Sequence, residues 1–350
     1  MYLILGSGYE ESIMNTNNPI LNIENLKVYF YNDYGQELKA VDDVSFQVYQ
    51  GETIALVGES GCGKSVTSLA LLRLIDSNGK IVGGKINFNN SDLLSLSEKQ
   101  MQSIRGKDIS MIFQEPSSAL NPVYTIGDQI IEAISLHQKV SHHEARKRAV
   151  EMFKLVGIPD PEKRLNEYPH ELSGGMKQRG MIAMALSCHP QLLIADEPTT
   201  SLDVTIQAQI IELMISLQRQ LNMAVILITH DLGIVATMAK RIVVMYAGKI
   251  VEEGNRHDIF KNPCHPYTIG LLHSIPRLDI EQEKLDSIPG MVPDPSQFPE
   301  GCRFRNRCSF EDEQCVNQPN KSNVDLNHFV YCHHWKKINQ HSIEECKIYE

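Results

Sequence analysis

One octapeptide constrains this chain more than any other feature. Gly58-Glu59-Ser60-Gly61-Cys62-Gly63-Lys64-Ser65 fits the spacing G-x4-G-K-S/T. Thr53–Val57, a short run of small and β-branched residues, reads as a buried strand before it, and Val66 to Ile75 reads as a helix after it. Glycines at these positions let the backbone wrap closely enough for its N–H groups to point at phosphate oxygens. The helix that follows adds the positive end of its dipole. Lys64 is placed to neutralise β- and γ-phosphates, and the Ser65 hydroxyl is offered to Mg²⁺; Glu59, Ser60 and Cys62 belong to the same ATP-binding loop, and Val66 contributes mainly backbone.

The surrounding pattern alternates strands and helices. Leu21 to Val48 reads as two strands with a turn at Asn32–Gly35, and Val44, Phe46 and Val48 alternate with polar residues. Leu192–Ala195, Val225–Thr229 and Ile242–Met245 read as buried strands. Between the first two, Ile206, Ile210, Leu213, Leu217 and Leu221 mark one face of a helix. Helices are also expected over 126–135 and 142–156, with Arg146, Lys147 and Arg148 on a solvated face. Such alternation implies a largely parallel sheet covered by helices.

Two further elements bear on phosphate chemistry. The run Leu192-Leu193-Ile194-Ala195 delivers Asp196 and Glu197 at a strand end, 132 residues after Lys64. One carboxylate can hold Mg²⁺ and the other can polarise an attacking water, the two roles phosphoryl transfer needs. Alone, an apolar run followed by two acids is as well read as an ordinary strand end. Leu172-Ser173-Gly174-Gly175-Met176-Lys177-Gln178-Arg179 is a Ser-Gly-Gly turn opening a helix, which makes a second phosphate cradle. One nucleotide does not need two cradles from one chain, whereas two chains arranged head to tail would use both.

These motifs together resemble the ATP-binding cassette family, whose signature reads L-S-G-G-x-x-Q-R. The resemblance implies an α/β P-loop NTPase with an antiparallel β subdomain, a helical insert and a small Cys-rich C-terminal extension. It implies that Ser173, Gly174, Gly175 and Gln178 serve the partner's ATP, and that Gln114 senses Mg²⁺ and the attacking water. Ser201-Leu202-Asp203 would communicate across the dimer, His230 would contact the γ-phosphate, and Phe30, with Tyr29 as its neighbouring alternative, would stack on adenine. Gln114-Glu115-Pro116, Ala119-Leu120-Asn121-Pro122, the run Asp196 to Thr205 and Asn262-Pro263-Cys264-His265-Pro266-Tyr267-Thr268 resemble the oligopeptide/dipeptide importer branch. That branch implies a second, non-identical ATPase subunit, two transmembrane permease subunits and, indirectly, an extracytoplasmic peptide-binding protein. It implies a peripheral position on the cytoplasmic face of the cell membrane. The alternatives are a related importer of nickel or another small solute, or a soluble cassette ATPase of translation or repair. The second is disfavoured by a single glycine loop and by an insert too short for a coiled coil.

Composition sharpens this reading. Of 350 residues, 33 are basic and 43 acidic, for a net charge of -10, which argues against nucleic acid as the main partner. No stretch reaches the roughly 18 uninterrupted apolar residues of a membrane span. Met1–Leu5 is apolar but too short for a secretory signal, and Met14 is an alternative start. Four of the eight cysteines, Cys302, Cys308, Cys315 and Cys332, fall within 31 residues, which in a chain without an export signal reads as metal binding before disulfides. The spacing matches neither paired zinc motifs nor a ferredoxin run. Four thiolates suit Zn²⁺ or an iron–sulfur cluster, with His328, His333 and His334 as substitute zinc ligands. The importer resemblance implies a 4Fe-4S cluster on the four cysteines, with Zn²⁺ as the alternative, in a structural role. Cys62, Cys188, Cys264 and Cys346 read as passive. The expected layout is an N-terminal stub over 1–20, the ATPase over 21–275 with its insert over 115–172, and the extension over 276–350.

Overall fold

The computed structural model describes residues 18–200, 202–274 and 288–338. Ser201, Met14, Cys346, most of the N-terminal stub and the expected boundary near 276 lie outside the described residues. Among the described residues twelve strands form two sheets: β1 (Leu21–Tyr31), β2 (Glu37–Val48), β3 (Thr53–Val57), β4 (Gly79–Phe88), β5 (Ser91–Asp92), β6 (Ile109–Ile112), β7 (Leu192–Asp196), β8 (Ala224–Ile228), β9 (Arg241–Tyr246), β10 (Lys249–Asn255), β11 (Ser322–Asp325) and β12 (His328–Val330). A four-stranded antiparallel sheet runs β2-β1-β4-β5, and an eight-stranded sheet runs β11-β12-β10-β9-β3-β8-β7-β6.

In the large sheet β9, β3, β8, β7 and β6, the last at its edge, are all parallel. Their sequences are near-continuous apolar runs because both faces are covered, and every residue of β3, β7 and β8 is buried. One apolar layer lies between this sheet and the antiparallel sheet, built on Val28, Phe46, Leu56, Ile86 and Ile228. Another joins the other face to the insert and the helices Gly174–Leu186 and Val204–Leu221, through Ile130, Phe153, Ile182 and Met214. Helix Val204–Leu221 buries Ile210, Ile211, Met214 and Leu217. The stripe is therefore centred slightly away from Ile206, Leu213 and Leu221, which are only partly buried.

The insert consists mainly of helices Ile126–Gln138 and His142–Leu155, capped by Thr125 and Ser141, whose side chains accept from Asp128 N and Glu144 N. On the second helix Arg148 pairs with Glu144 at 3.0 Å and Arg146 bonds Asn166 at 3.1 Å, ordinary surface contacts.

Beyond the 276 boundary, residues 288–338 build no separate core. β12 pairs antiparallel with β10, so β11 and β12 extend the main sheet. Phe304 is buried edge-on against Tyr246, with ring centroids 5.1 Å apart, and lies 5.4 Å from Tyr267. Arg303 reaches Asp42 on β2 at 2.6 Å. Burial pushes the Asp42 carboxyl up, but Lys249 and Arg303 outweigh it and hold the group below its ordinary range.

Under Phe304 sits His265, whose Nδ1 accepts from Tyr267 N at 3.1 Å and whose pKa burial pushes down to about 3. Between pH 6.5 and about 3 the unfolded chain binds a proton here that the folded chain does not, so stability falls as pH falls through that window. His265→Asn keeps an acceptor for the Tyr267 N–H. Its melting temperature is expected to fall less steeply across the same window than that of the parent, by about one proton's worth of slope; equal slopes in thermal melts would refute this.

Candidate functional site

Parallel register brings the sequence motifs to one edge. Leu56 of β3 and Asp196 of β7 both lie beside Ile228 of β8, and Ile112 of β6 lies beside Ala195. The residues just past these strand ends, Gly58, Gln114, Glu197 and His230, therefore emerge together at the carboxyl edge of the sheet.

After β3 the chain turns through Gly58 at φ 149° and Gly63 at φ 102°, into helix Lys64–Leu71. A side chain at Gly58 would put its Cβ 2.2 Å from the Met245 carbonyl oxygen, and one at Gly63 2.5 Å from that of Ala40. Glycine is thus required both by φ and by close packing. The Lys64 ammonium is folded into the loop, donating to the carbonyls of Gly58 at 2.7 Å and Glu59 at 2.9 Å. The loop is curled around its own cation. Ser60 and Gly61 are exposed at its tip, while Cys62 is buried with its thiol pKa raised by desolvation. Val66 packs against the core below. A cleft of about 420 Å³ opens beside the loop between Gly58–Glu59 and His230–Gly233.

Asp196 is buried at the end of β7 and its carboxyl is raised by desolvation, against a hydrogen bond from Ser65. Its Oδ1 has no hydrogen-bond partner. A buried carboxylate oxygen left open beside a hydroxyl is a hard-oxygen donor set that fits Mg²⁺.

Glu197 stands at φ 47°, a left-handed conformation uncommon for a non-glycine residue. The turn aims its carboxylate at three neighbours. Gln114 Nε2 donates to Oε2 at 3.0 Å, Thr200 Oγ1 donates to Oε2 at 2.8 Å, and His230 Nδ1 lies 3.0 Å from Oε1. Burial raises the pKa of Glu197, but the bonds from His230 and Thr200 outweigh it and the net direction is down. The group is therefore an ionised acceptor surrounded by polar side chains, which can orient and polarise a water. His230 has a side chain 67% exposed, free to swing toward a ligand. Thr200 was not singled out from the sequence; its place three residues after Glu197 was the available signal.

The second cradle is elsewhere. Ser173 caps helix Gly174–Leu186 by accepting from Met176 N at 3.3 Å. Gly174 and Gly175 pack against Leu202 and Ile206, where a Cβ on Gly175 would come within 3.0 Å of Ile206 Cγ2. Gln178 is buried and donates to the Pro198 carbonyl, tying the signature helix to the segment after Glu197. Asp203 caps helix Val204–Leu221 through Ile206 N at 3.0 Å. Signature and Leu202–Asp203 thus form one surface.

Of the two candidate aromatics on β1, the Phe30 ring lies over Gly79 and Ile75. Tyr29 bonds Asp42 at 3.0 Å. The Asp42 N–H donates to Gly248 O, and the Gly248 N–H donates to Cys62 O, a chain that ends in the glycine loop.

The four clustered cysteines form no disulfide, and Cys332 lies near enough to the other three to interact with them electrostatically. Cys332 feels the charges of Cys302, Cys308 and Cys315, and burial with that mutual repulsion pushes Cys332 up to about 12 and Cys308 to about 11. Backbone N–H groups of Phe310 and His334 donate to Cys308 Sγ and Cys332 Sγ, each at 3.4 Å. Four convergent thiols that repel when ionised, with N–H groups aimed at sulfur, fit a cationic metal centre. Of the substitute histidines, His328 pairs with Glu252 at 2.7 Å and His333 with the Asn317 carbonyl at 3.1 Å, whereas His334 Nε2 lies 3.0 Å from Asp312 and within 4.8 Å of Cys315 Sγ, a trio that could hold a metal ion. Buried Cys264 adjoins Glu252 and His328, but that carboxylate already accepts from Cys264 N, His265 N and His328.

Among known proteins, the dipeptide transport ATP-binding protein of Bacillus subtilis is 57% identical over 290 residues, 83% of this chain and 86% of that one. The chain belongs to the ATP-binding subunits of the oligopeptide/dipeptide ABC transporter family. The ABC transporter family profile matches residues 41–200 of this ABC subunit, and the profile of the oligopeptide/dipeptide transporter C-terminal region matches 251–315. The dipeptide transport ATP-binding protein of Escherichia coli is 52% identical over 296 residues, covering 85% of this chain and 90% of that protein. Among solved structures, a dimeric ATP-binding cassette in a post-hydrolysis state with ADP and Pi is similar, at 26% identity and TM-score 0.61, over 67% of this chain and 98% of that one. As an ABC transporter subunit the chain is an ATPase. Among the described residues no helix is long and apolar enough to cross a membrane.

Proposed function

We propose that this subunit hydrolyses ATP to power uptake of oligopeptides or dipeptides through an ABC importer. The observation that carries the reading is the convergence of Lys64, Asp196, Glu197, Gln114 and His230 at one sheet edge, in a chain whose C-terminal segment is that of peptide transporters. Gly58, Glu59, Ser60, Gly61, Cys62, Gly63, Lys64, Ser65 and Val66 cradle the phosphates, and a β1 aromatic, Phe30 or Tyr29, supports adenine. Ser65, Asp196 and Gln114 would hold Mg²⁺, which when bound supplies charge neutralisation at the phosphates. Glu197 takes the proton of the attacking water, and His230, released from Glu197, turns to the γ-phosphate.

Ser173, Gly174 and Gly175 complete the partner's nucleotide site, with Gln178 fixing their helix from behind. Leu202 and Asp203 would meet the partner across the dimer, the role the sequence also gives Ser201. The partner is a related, non-identical ATPase. The insert over 115–172 receives the two permease subunits at the cytoplasmic face of the membrane, supported by exposed Val123 and Tyr124 close behind Gln114. A peptide-binding protein outside the cell supplies the substrate to them.

Cys302, Cys308, Cys315 and Cys332 hold a 4Fe-4S cluster that ties the extension down. Anaerobically purified protein is expected to carry stoichiometric iron and visible charge-transfer absorbance, both lost in Cys308→Ser; an iron-free parent, or one holding zinc, refutes this. For transport, the chain is reconstituted with its partner ATPase and permeases in vesicles with binding protein outside. Stimulation of ATP turnover by di- and oligopeptides supports the reading, and stimulation only by another solute overturns it.

A further inference from the structure

The structure joins the cysteine-bearing segment directly to the nucleotide loop. Arg307 Nη1 and Nη2 donate to Glu59 Oε2 and Oε1 at 2.7 and 3.0 Å, a two-point contact across 248 residues of sequence. The Arg307 side chain is only 6% exposed. It lies over the Tyr246 and Phe304 rings, and its Nε donates to the Pro289 carbonyl at 2.7 Å. Its orientation is therefore fixed by contacts with its own segment and with β9 as well as with the loop. Glu59 is held twice more: its N–H donates to Tyr267 Oη at 2.7 Å, and its carbonyl accepts from Lys64 at 2.9 Å.

Nothing in phosphate binding by a glycine loop calls for a carboxylate at this position, since only the backbone is used there. An unpaired negative charge beside an incoming polyphosphate opposes binding. Arg307 cancels that charge and sets the loop's curvature at the residue whose carbonyl holds Lys64. Its chain neighbour is Cys308, one of the four converging thiols.

We propose that Arg307 is a positioning residue for the nucleotide loop, through which ATP affinity and the state of the four-cysteine site are linked within one chain. The inference rests on the nucleotide reading of Gly58–Ser65. Linkage is reciprocal: what tightens one site must tighten the other.

The test uses the full chain and a fluorescent ATP analogue, with binding measured at equilibrium and no turnover needed. Arg307→Gln is expected to weaken binding about tenfold by leaving Glu59 uncompensated, Arg307→Lys to recover part of the loss, and Arg307→Gln combined with Glu59→Gln to bind better than Arg307→Gln alone. In a second measurement, alkylation of Cys302, Cys308, Cys315 and Cys332 is followed by mass spectrometry with and without ATP. ATP is expected to slow it in the parent and not in Glu59→Gln, a variant that removes the loop's half of the contact and serves even if Arg307→Gln does not fold. Binding by folded Arg307→Gln within twofold of the parent, strictly additive losses, or equal protection of the thiols in parent and Glu59→Gln each overturn the proposal. A parent that fails to bind the analogue brings down the nucleotide reading itself.

Discussion

Glu197→Gln is expected to lower ATP turnover by roughly 10²–10⁴-fold, the range a positioned general base contributes, while leaving nucleotide binding nearly intact. The substitution keeps the shape of the side chain and an acceptor oxygen for Gln114, Thr200 or His230, so the loop around it should hold. What is lost is the ionised carboxylate that its neighbours maintain below its ordinary pKa. Under the proposed head-to-tail pairing, the variant mixed with its partner ATPase should also accumulate as an ATP-bound pair on size exclusion. Phosphate release within about twofold of the parent would remove Glu197 from the role of base.

Lys64→Ala is expected to abolish ATP binding at concentrations that saturate the parent, a loss of at least about 10²-fold, since charge-assisted hydrogen bonds to phosphate contribute about 1.5–3 kcal/mol each. A second effect follows from the loop geometry. The ammonium satisfies the carbonyls of Gly58 and Glu59 in a buried setting, so its removal should also lower stability by about 1–3 kcal/mol. Both are read together, by titration with a fluorescent nucleotide and by denaturant unfolding. Affinity within fivefold of the parent would contradict the role assigned to Lys64.

What could be read from the sequence was what local chemistry encodes. The glycine loop was legible because φ at Gly58 and Gly63 and the close approach of Met245 and Ala40 leave no room for a side chain. β3, β7 and β8 were legible because strands covered on both faces must be apolar throughout. β4 escaped: Gly79, Gly83 and Gly84 interrupt its pattern, and its early residues are largely exposed. The left-handed turn at Glu197 has no sequence mark, since the residue is not glycine and the strain is imposed by its surroundings. Nor could any pattern connect Arg307 to Glu59, or β12 to β10, because the partners lie far apart along the chain and only the fold brings them into register.

The attachment of β12 to β10 has a consequence for how the ATPase can be handled as a protein. An extension that merely followed the catalytic body could be cut away. Here its removal would strip the partner from β10, baring a row of N–H and C=O groups beside the apolar surface on which Phe304 now rests. An uncovered strand edge of that kind is a template for pairing with another chain. A fragment ending near 276 should therefore be prone to self-association into insoluble material, whatever its nucleotide loop can still do.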